Sequence, residues 1–197
     1  MSSGATRPDL FLASASPRRR QLLEQIGIVP DGILVPDVDE TPLPDELPRP
    51  YARRLADAKL AAALPALPPN AVLLAADTVV ALGRRILPKA EDEATARRCL
   101  TLLSGRRHTV LTAVVLRWPD GATSHRTVES VVAFSRLLPA QIDALLAAGD
   151  WRGKAGGYAI QGHAAAFTRF LSGSHSNVVG LPLFEVAQLL RGRAWLP

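Results

Sequence analysis

The sequence predicts an α/β protein in which helices flank a mixed sheet. Two observations favour this class. Short apolar runs of strand length alternate with segments of helical periodicity, and the longest run, residues 71–82, is interrupted only at Asp77 and Thr78, which indicates a strand buried on both faces. The chain has 197 residues, 48% of them hydrophobic, so it can form one large core or two small lobes. We expect a single two-lobed domain over residues 1–197, with residues 1–8 as a flexible tail.

In the N-terminal half, proline and glycine mark the ends of the elements. Ser16 and Pro17 suit the start of a helix, and Gly27 suits its end. Prolines surround the acidic cluster at residues 37–40, which indicates an ordered loop, and Pro65 stops the next helix. The predicted elements are a strand at 10–13, a helix at 17–26, a helix at 51–64 and a strand at 71–82.

The C-terminal half continues the alternation of strands and helices. Gly83-Arg84 turns the long strand back into residues 86–87, and Pro119-Asp120-Gly121 joins two further strands. A glycine-rich loop is expected at residues 149–162. The predicted elements are a helix at 91–103, strands at 109–118 and 128–137, a helix at 140–148, a strand at 165–171 and a helix at 183–191.

Charge and composition narrow the class of partner. The net charge of +5 favours an acidic partner, which is a nucleic acid, an anionic membrane or a phosphorylated small molecule. Aromatic residues are only 5% of the chain and do not lie among the basic residues, which argues against base stacking on a nucleic acid. No run reaches the roughly 18 apolar residues of a membrane span, and the first eight residues lack a secretion signal. We therefore expect a cytoplasmic protein with no stable nucleic-acid or membrane partner.

Cysteine and histidine do not indicate a metal site. Cys99 is the only cysteine, so an internal disulfide and a cysteine-based zinc site are excluded, and we expect it to be a buried packing residue. The histidines, at positions 108, 125, 163 and 175, do not have metal-ligand spacing.

The predicted first helix begins with an unfavourable arrangement of charge. Arg18 and Arg19 follow the N-cap Ser16 and fall in the first turn, where the helix dipole is already positive. Each cation there is unfavourable by about 0.3–1 kcal/mol unless an anion is near, and free N–H groups at a helix start bind phosphate. The pair therefore indicates a phosphate site. The alternative is that the arginines lie on a solvated helix face.

Asp77 is the sharpest single feature of the sequence, because it stands inside the apolar run at residues 71–82. An uncompensated buried carboxylate costs several kcal/mol, so we expect a metal ion or a cationic side chain beside it. The alternative is a structural aspartate that caps a loop or pairs with one arginine.

Two lysines and a glutamate complete the candidate set. Lys59 falls on the apolar stripe of its helix, where it points inward or extends its stem over the core. Lys89 follows the strand that bears Asp77 and is a candidate there, or else a solvated loop charge. Glu40 and Asp77 can supply the oxygen ligands that Mg²⁺ accepts, although the acidic loop at residues 37–40 can equally remain hydrated.

Taken in order, several segments resemble the Maf family of nucleotide pyrophosphatases. They are Leu-Ala-Ser-Ala-Ser-Pro-Arg-Arg at 12–19, Asp-Glu-Thr at 39–41, Leu55-Ala56 with Lys59, Ala-Asp-Thr-Val-Val at 76–80 and Ile-Gln-Gly at 160–162. The likeness continues through 103–105 with His108 and Thr112, then 154–156 and 177–183, and so covers nearly the whole chain.

The resemblance implies a Maf-like, inosine-triphosphatase-like fold with two lobes around a cleft, often in a homodimer. It implies hydrolysis of nucleoside triphosphates between the α and β phosphates, assisted by a divalent cation, Mg²⁺ or Mn²⁺, with Asp77 as the proton acceptor. Arg18, Thr78 and Gln161 match the base-selecting positions of the subfamily that acts on dTTP and UTP. An amide at position 161 complements the carbonyl and N3–H edge of uracil or thymine.

The chain departs from the family pattern at one place. Where the family has Gly-Lys-Pro, this sequence has Pro88-Lys89-Ala90. The lysine is retained, but Pro88 removes a backbone donor and restricts φ, which puts the approach of Lys89 to a phosphate in question.

These residues lead to a mechanistic hypothesis. Asp77 deprotonates a water that attacks the α-phosphorus, with a cation held by Glu40 and Asp77. The helix start at Ser16 and four cationic side chains neutralise the charge of the leaving pyrophosphate. Those cations are Arg18, Arg19, Lys59 and Lys89.

Two other functions are consistent with the sequence. One is a non-enzymatic regulator of septum formation that acts through a protein or nucleic-acid partner, which the basic net charge permits. The other is removal of damaged purine triphosphates, which shares the metal chemistry but favours inosine-like bases.

Overall fold

The computed structural model describes residues 7–197. The expected flexible tail, residues 1–8, therefore lies mostly outside the described residues. Its last two residues contact the C-terminal segment, because the Arg7 guanidinium lies 3.9 Å from the ring centroid of Trp195 and the Trp195 indole donates to the Pro8 carbonyl at 2.8 Å. Within residues 7–197, no helix has the length and apolar character needed to cross a membrane.

Most strands belong to one mixed sheet. The strands are β1 Leu10–Ala13, β2 Gly32–Leu34, β3 Val72–Leu82, β4 Arg85–Leu87, β5 Lys89–Ala90, β6 Arg107–Arg117, β7 Thr123–Phe134, β8 Lys154–Ala155 and β9 Thr168–Ser172. The sheet has the order β2-β1-β3-β6-β7-β9, and β4 also pairs with β3. The β1–β2 and β1–β3 pairs are parallel, whereas the others are antiparallel. β5 and β8 form a separate two-stranded ribbon.

In the described part of the chain, six α-helices surround the sheet. They are α1 Pro17–Gln25, α2 Pro48–Ala63, α3 Glu93–Leu103, α4 Pro139–Ala148, α5 His175–Val179 and α6 Leu183–Arg191. Short 3₁₀ helices occupy Leu64–Ala66 and His163–Phe167. Proline is the first residue of α1, α2 and α4. An N–H group at this position makes no hydrogen bond within the helix, so its absence in proline costs nothing.

The hydrophobic core is divided between two lobes. In the first lobe, α2 packs on one face of β1, β3 and β6, and α1 and α6 pack on the other. In the second, α3 and α4 cover the far ends of β3, β6 and β7. Helices therefore flank a mixed sheet in two lobes, which confirms the predicted fold class.

A gap in the pairing of β3 creates the space between the lobes. On one edge, β1 pairs with β3 only as far as Ala75, and β4 pairs with it only from Val80 onward. On the other edge, β6 pairs with β3 without a break from Leu73 to Ala81. Residues 76–79 are therefore unpaired on one edge. Asp77 and Thr78 point to opposite faces of the sheet, yet both reach the opening at this edge.

The structure also corrects several predicted bounds. The predicted strand at 165–171 is wrong at its start, because residues His163–Phe167 form a 3₁₀ helix and β9 begins at Thr168. β7 begins at Thr123 rather than at 128, since its first half is polar and is defined by pairing with β6. The short elements β2 and α5 were not predicted. Each is too short to show a hydrophobic period and depends on contacts with neighbours.

Candidate active site

All the candidate residues named from the sequence line one cleft at the gap in β3. The cavity is about 360 Å³, which is within the size range of small-molecule sites. The candidates that line it are Ser16, Arg18, Arg19, Glu40, Lys59, Asp77, Thr78, Lys89 and Gln161. They come from the loop before α1, the first turn of α1, the acidic loop, α2, β3, β5 and the loop after β8, so both lobes contribute.

The centre of the cleft is a row of alternating charges. The Lys59 ammonium contacts Asp77 Oδ1 and lies 2.7 Å from Glu40 Oε1, and the other Glu40 oxygen contacts Lys89. Asp77 is 2% exposed and Lys59 is 8% exposed. Burial raises the pKa of Glu40, but the hydrogen bonds and the positive charges of Lys59 and Lys89 together outweigh burial, so the pKa of that carboxyl is lowered. The row therefore compensates each buried charge with an opposite one.

The contacts of Asp77 and Lys59 decide between the alternatives left by the sequence. Lys59 lies among the buried residues of α2, and its ammonium ends on Asp77 rather than in water, so it does not extend past the core to solvent. Asp77 has its cationic partner in Lys59, as expected. Within residues 7–197 its side chain makes no other hydrogen bond, which leaves Oδ2 available to a ligand in the cleft.

Arg19 is buried and forms hydrogen bonds with three parts of the cleft. Its guanidinium donates to the Gly180 carbonyl at 2.8 Å, to Ser14 Oγ at 3.0 Å and to Thr78 Oγ1 at 3.2 Å. Burial lowers the pKa of Arg19, and the charges of Asp77 and Glu40 partly offset that effect. Arg19 thus joins the start of α1 to β3 and to the end of α5.

Arg18 carries a charge without an acidic partner. Burial and the neighbouring Arg19 lower the pKa of Arg18 to about 10, so it stays protonated at neutral pH. Within the described part of the chain, no carboxylate forms a salt bridge with it, and its Nε is buried without a hydrogen bond. A cation left unpaired at the wall of a cleft suits an anionic ligand.

The loop before α1 differs from the prediction in one respect. Ser16 stands at the N-cap, but its side chain makes no capping bond. The Ser14 hydroxyl organises the loop instead, because it accepts from the Ser16 backbone N–H at 3.2 Å and from Arg19 at 3.0 Å. The N–H groups of the first turn of α1 are therefore without a side-chain cap. Ser14 was not among the candidates from the sequence, although the repeated Ala-Ser at the end of β1 was a signal for it.

Thr78 and Gln161 differ in how free they are to meet a ligand. The Thr78 hydroxyl lies 2.9 Å from Thr112 Oγ1, and Thr112 donates its own proton to the Asn177 carbonyl at 2.9 Å. The single proton of the Thr78 hydroxyl is therefore used by Thr112, with the Gly180 carbonyl a second and longer acceptor at 3.4 Å, and none is left for a ligand. In contrast, the side chain of Gln161 is exposed and makes no hydrogen bond within residues 7–197.

The Pro88 departure does not remove Lys89 from the cleft. The Pro88 carbonyl accepts from the Gly156 N–H at 3.0 Å, and Lys89 pairs with Ala155 in the ribbon of β5 and β8. The ribbon therefore fixes Lys89 beside Glu40. It also brings Lys154 to the lining of the cleft, a further cation that was not among the candidates from the sequence.

The two carboxylates fit a divalent cation whose coordination shell is completed by the substrate. Within residues 7–197, no group of three or more histidine, cysteine, aspartate or glutamate side chains could hold a metal ion. Glu40 and Asp77 nevertheless share one lysine, so their oxygens lie close together. Mg²⁺ commonly takes one or two carboxylates and fills its shell with phosphate oxygens and water, which matches this donor set.

A buried histidine supports the wall of the cleft. His108 is 2% exposed, and its Nε2 lies 2.7 Å from the hydroxyl of Tyr158, whose side chain lines the cleft. The rings of His108, Phe134 and Tyr158 meet edge to face. Burial lowers the pKa of His108 to about 4 and raises that of Tyr158, so both are neutral at pH 7.

We expect His108 to make the protein less stable in mild acid. Its pKa of about 4 in the folded state lies below the ordinary value of 6.5, so the unfolded chain binds the proton first as pH falls. Its contribution to the free energy of unfolding is complete above pH 6.5 and falls by about 2 kcal/mol between pH 7 and pH 5. Urea unfolding of the wild type and His108→Gln at both pH values measures it. The carboxylates titrate in both proteins, so only the additional loss of unfolding free energy in the wild type reports on His108. Equal losses between pH 7 and pH 5 in the two proteins would contradict the expectation.

The fold and the cleft together define an α/β protein with a site for a polyanionic small molecule. Comparison with known proteins makes this specific. The chain belongs to the Maf family, because the model for "Maf-like protein" matches residues 9–193.

Curated proteins that are similar to this chain are named as enzymes. The dTTP/UTP pyrophosphatase of Gluconobacter oxydans is 65% identical, over 95% of this chain and 88% of that protein. The dTTP/UTP pyrophosphatase of Rhodospirillum rubrum is 62% identical, over 95% of this chain and 89% of its own length. Among solved structures, the Staphylococcus aureus Ham1 protein is 15% identical, with a TM-score of 0.49 over 94% of this chain and 99% of that chain.

Proposed function

We propose that this chain is a nucleoside triphosphate pyrophosphatase that hydrolyses dTTP and UTP to the monophosphate and pyrophosphate. The observation that carries the proposal is the position of Asp77, a buried carboxylate with one oxygen on Lys59 and the other available in a cationic cleft. Relatives with 62–65% identity that are named dTTP/UTP pyrophosphatases support the substrate class.

Asp77 acts as the proton acceptor. Its Oδ1 is held by Lys59, so the carboxylate is fixed and Oδ2 takes the proton from the water that attacks the α-phosphorus. Breaking the bond between the α-phosphorus and the bridging oxygen releases pyrophosphate. Arg18 and Lys89 neutralise the charge that builds on the phosphates, together with the uncapped first turn of α1.

Glu40 and Asp77 are the residues that would hold Mg²⁺ or Mn²⁺ with the triphosphate. The cation supplies Lewis-acid stabilisation of the negative charge on the phosphate oxygens. Glu40 keeps its place through both lysines, and this arrangement holds the acidic loop against the cleft.

Gln161 reads the base. Its side-chain amide can donate to a carbonyl and accept from N3–H of uracil or thymine, and no other group of the described chain competes for it. Arg18 and Thr78 complete the base-selecting set, and Thr78 acts as a hydrogen-bond acceptor there because its proton is used by Thr112.

The surroundings of the reaction follow from the same proposal. The substrate is a free nucleotide rather than a polymer, so no stable nucleic-acid partner is required. We place the enzyme in the cytoplasm, as a single Maf-like domain that can form a homodimer.

A panel of triphosphates tests the function. With Mg²⁺ present, we expect pyrophosphate release from dTTP and UTP at a kcat/KM at least about tenfold above that for dATP, dGTP and inosine triphosphate. Chelation of the cation is expected to lower the rate to background, and added Mg²⁺ to restore it. A preference for inosine triphosphate, or no hydrolysis of any triphosphate, would contradict the proposal.

A further inference from the structure

The position of Gln161 depends on its backbone. Its side-chain amide is exposed and makes no hydrogen bond within residues 7–197, so no neighbouring side chain orients it. The backbone around it forms a tight turn, in which the Gly162 N–H donates to the Ala159 carbonyl at 3.0 Å and the Ala165 N–H donates to the Gly162 carbonyl at 3.0 Å. Whatever holds this turn therefore decides where the amide of Gln161 lies.

Asp150 holds the turn directly after Gln161. Its Oδ2 accepts from the His163 backbone N–H at 2.8 Å and lies 3.1 Å from His163 Nδ1. The same oxygen approaches Gly162 so closely that a Cβ on this residue would lie 2.1 Å from it. The φ of Gly162 is −105°, which other residues also adopt, so the obstacle to a larger side chain is this contact. Gly162 therefore has no room for a Cβ while the Asp150 carboxylate keeps this position.

Asp150 is itself fixed to the core of the second lobe. It follows Gly149, which ends α4 with a φ of 73°. It precedes Trp151, which is 2% exposed and whose indole N–H donates to the Leu146 carbonyl at 2.9 Å. The carboxylate is thus attached to a rigid helix end, and its hydrogen bond transmits that rigidity to the turn.

We propose that Asp150 is a positioning residue for base recognition, which holds the Gly162-His163 turn so that the amide of Gln161 stays directed into the cleft. The proposal rests on the proposed function, because it assumes that Gln161 reads the base. Asp150 does not line the cleft, so it acts only through the turn.

The substitution Asp150→Ala tests the proposal by kinetics. We expect the KM for dTTP to rise about tenfold with kcat within about twofold of the wild type, because a lost or misdirected hydrogen bond to the base weakens binding without changing the chemistry. Discrimination between dTTP and dATP should fall by a similar factor. In Asp150→Asn an amide oxygen can still accept from the His163 N–H, so this variant should return most of the lost affinity and discrimination.

Asp143→Ala is the matched control. Asp143 lies in α4 and pairs at the surface with Arg97 at 2.7 Å, so its loss removes the same charge near the same helix without touching the turn. We expect wild-type KM and discrimination in this variant. If Asp143→Ala and Asp150→Ala have the same kinetic effect, the role assigned to Asp150 is overturned.

Gly162→Ala provides an independent test of the contact. Alone, it should raise the KM for dTTP at least as much as Asp150→Ala does, because the added Cβ and the carboxylate cannot occupy the same space and one of them must move. In the double variant Asp150→Ala with Gly162→Ala, the carboxylate that the added Cβ would meet is absent. The KM of the double variant should therefore equal that of Asp150→Ala. Additive effects in the double variant would mean that the two residues do not act on each other.

A measurement without substrate separates this proposal from the proposed function. Hydrogen exchange of the segment 158–165 should be faster in Asp150→Ala than in the wild type and unchanged in Asp143→Ala. Unchanged exchange in Asp150→Ala would overturn the role of Asp150 whatever the enzyme hydrolyses. If exchange rises but Gln161→Ala leaves discrimination unaltered, the assumption that Gln161 reads the base is wrong, and the base-recognition role of Asp150 is overturned with it.

Discussion

Replacing Asp77 with asparagine is expected to lower the rate of pyrophosphate release from dTTP by about a thousand-fold, the range associated with loss of a general base. The amide still accepts a hydrogen bond from Lys59, but it cannot take a proton from water. The Lys59 ammonium keeps the Glu40 carboxylate at 2.7 Å, so no buried charge is left without a partner. The free energy of unfolding should therefore change by no more than about 1 kcal/mol.

Steady-state release of pyrophosphate, together with urea unfolding of the same samples, measures both effects. Asp57→Asn is the matched control, because Asp57 is an exposed aspartate of α2 that contacts His125 at 3.3 Å and does not line the cleft. That variant should retain wild-type turnover. Turnover near the wild-type level in Asp77→Asn would remove the proton acceptor from the mechanism.

Asp77→Asn should lose activity but little stability, whereas replacing Lys59 is expected to cost both. Substitution by methionine keeps an apolar stem of similar size but leaves Asp77 buried with no other hydrogen bond in the described chain. Removing one partner of a buried ion pair typically destabilises a protein by about 3–5 kcal/mol, and we expect a loss in this range together with loss of turnover. Unfolding in urea at pH 7 gives the first quantity and pyrophosphate release the second.

The double variant Lys59→Met with Asp77→Asn separates the electrostatic cause from lost packing. Because the stranded charge is removed, the double variant should be more stable than Lys59→Met alone, by about 2 kcal/mol or more. It should remain inactive. A double variant as unstable as Lys59→Met would show that the lysine stabilises the fold through its stem rather than through its charge.

The sequence predicted the identity of the candidate residues better than their contacts. Asp77 was recognisable as a carboxylate in an apolar run, and Arg18 as a cation in the first turn of a helix, because both signals are local. The bonds of Arg19 to Gly180 and Thr78 join residues that are far apart in the chain, so no local pattern indicated them. The same reason applies to Asp150 and its turn at His163, which only the packing of α4 brings together.

The secondary structure likewise divides into elements with local sequence signals and elements that depend on distant partners. The last helix was predicted at 183–191 and has those bounds, because its apolar period and the glycine after it are local signals. The first half of β7 is polar, and its strand conformation depends on pairing with β6, for example Thr123 with Arg117. A polar edge segment of this kind has no hydrophobic period from which a strand can be predicted.

The sequence alone determined the alternation of strands and helices, the helix start at Pro17 and the presence of a carboxylate within the long central strand. These are properties of neighbouring residues, and they persist wherever the segment is placed. The tertiary structure alone decided that β1 stops pairing at Ala75 and β4 starts at Val80, which opens the edge of β3 where the charged residues meet. Which edge of a strand stays unpaired depends on how distant segments pack, and that information is not contained in any local stretch of sequence.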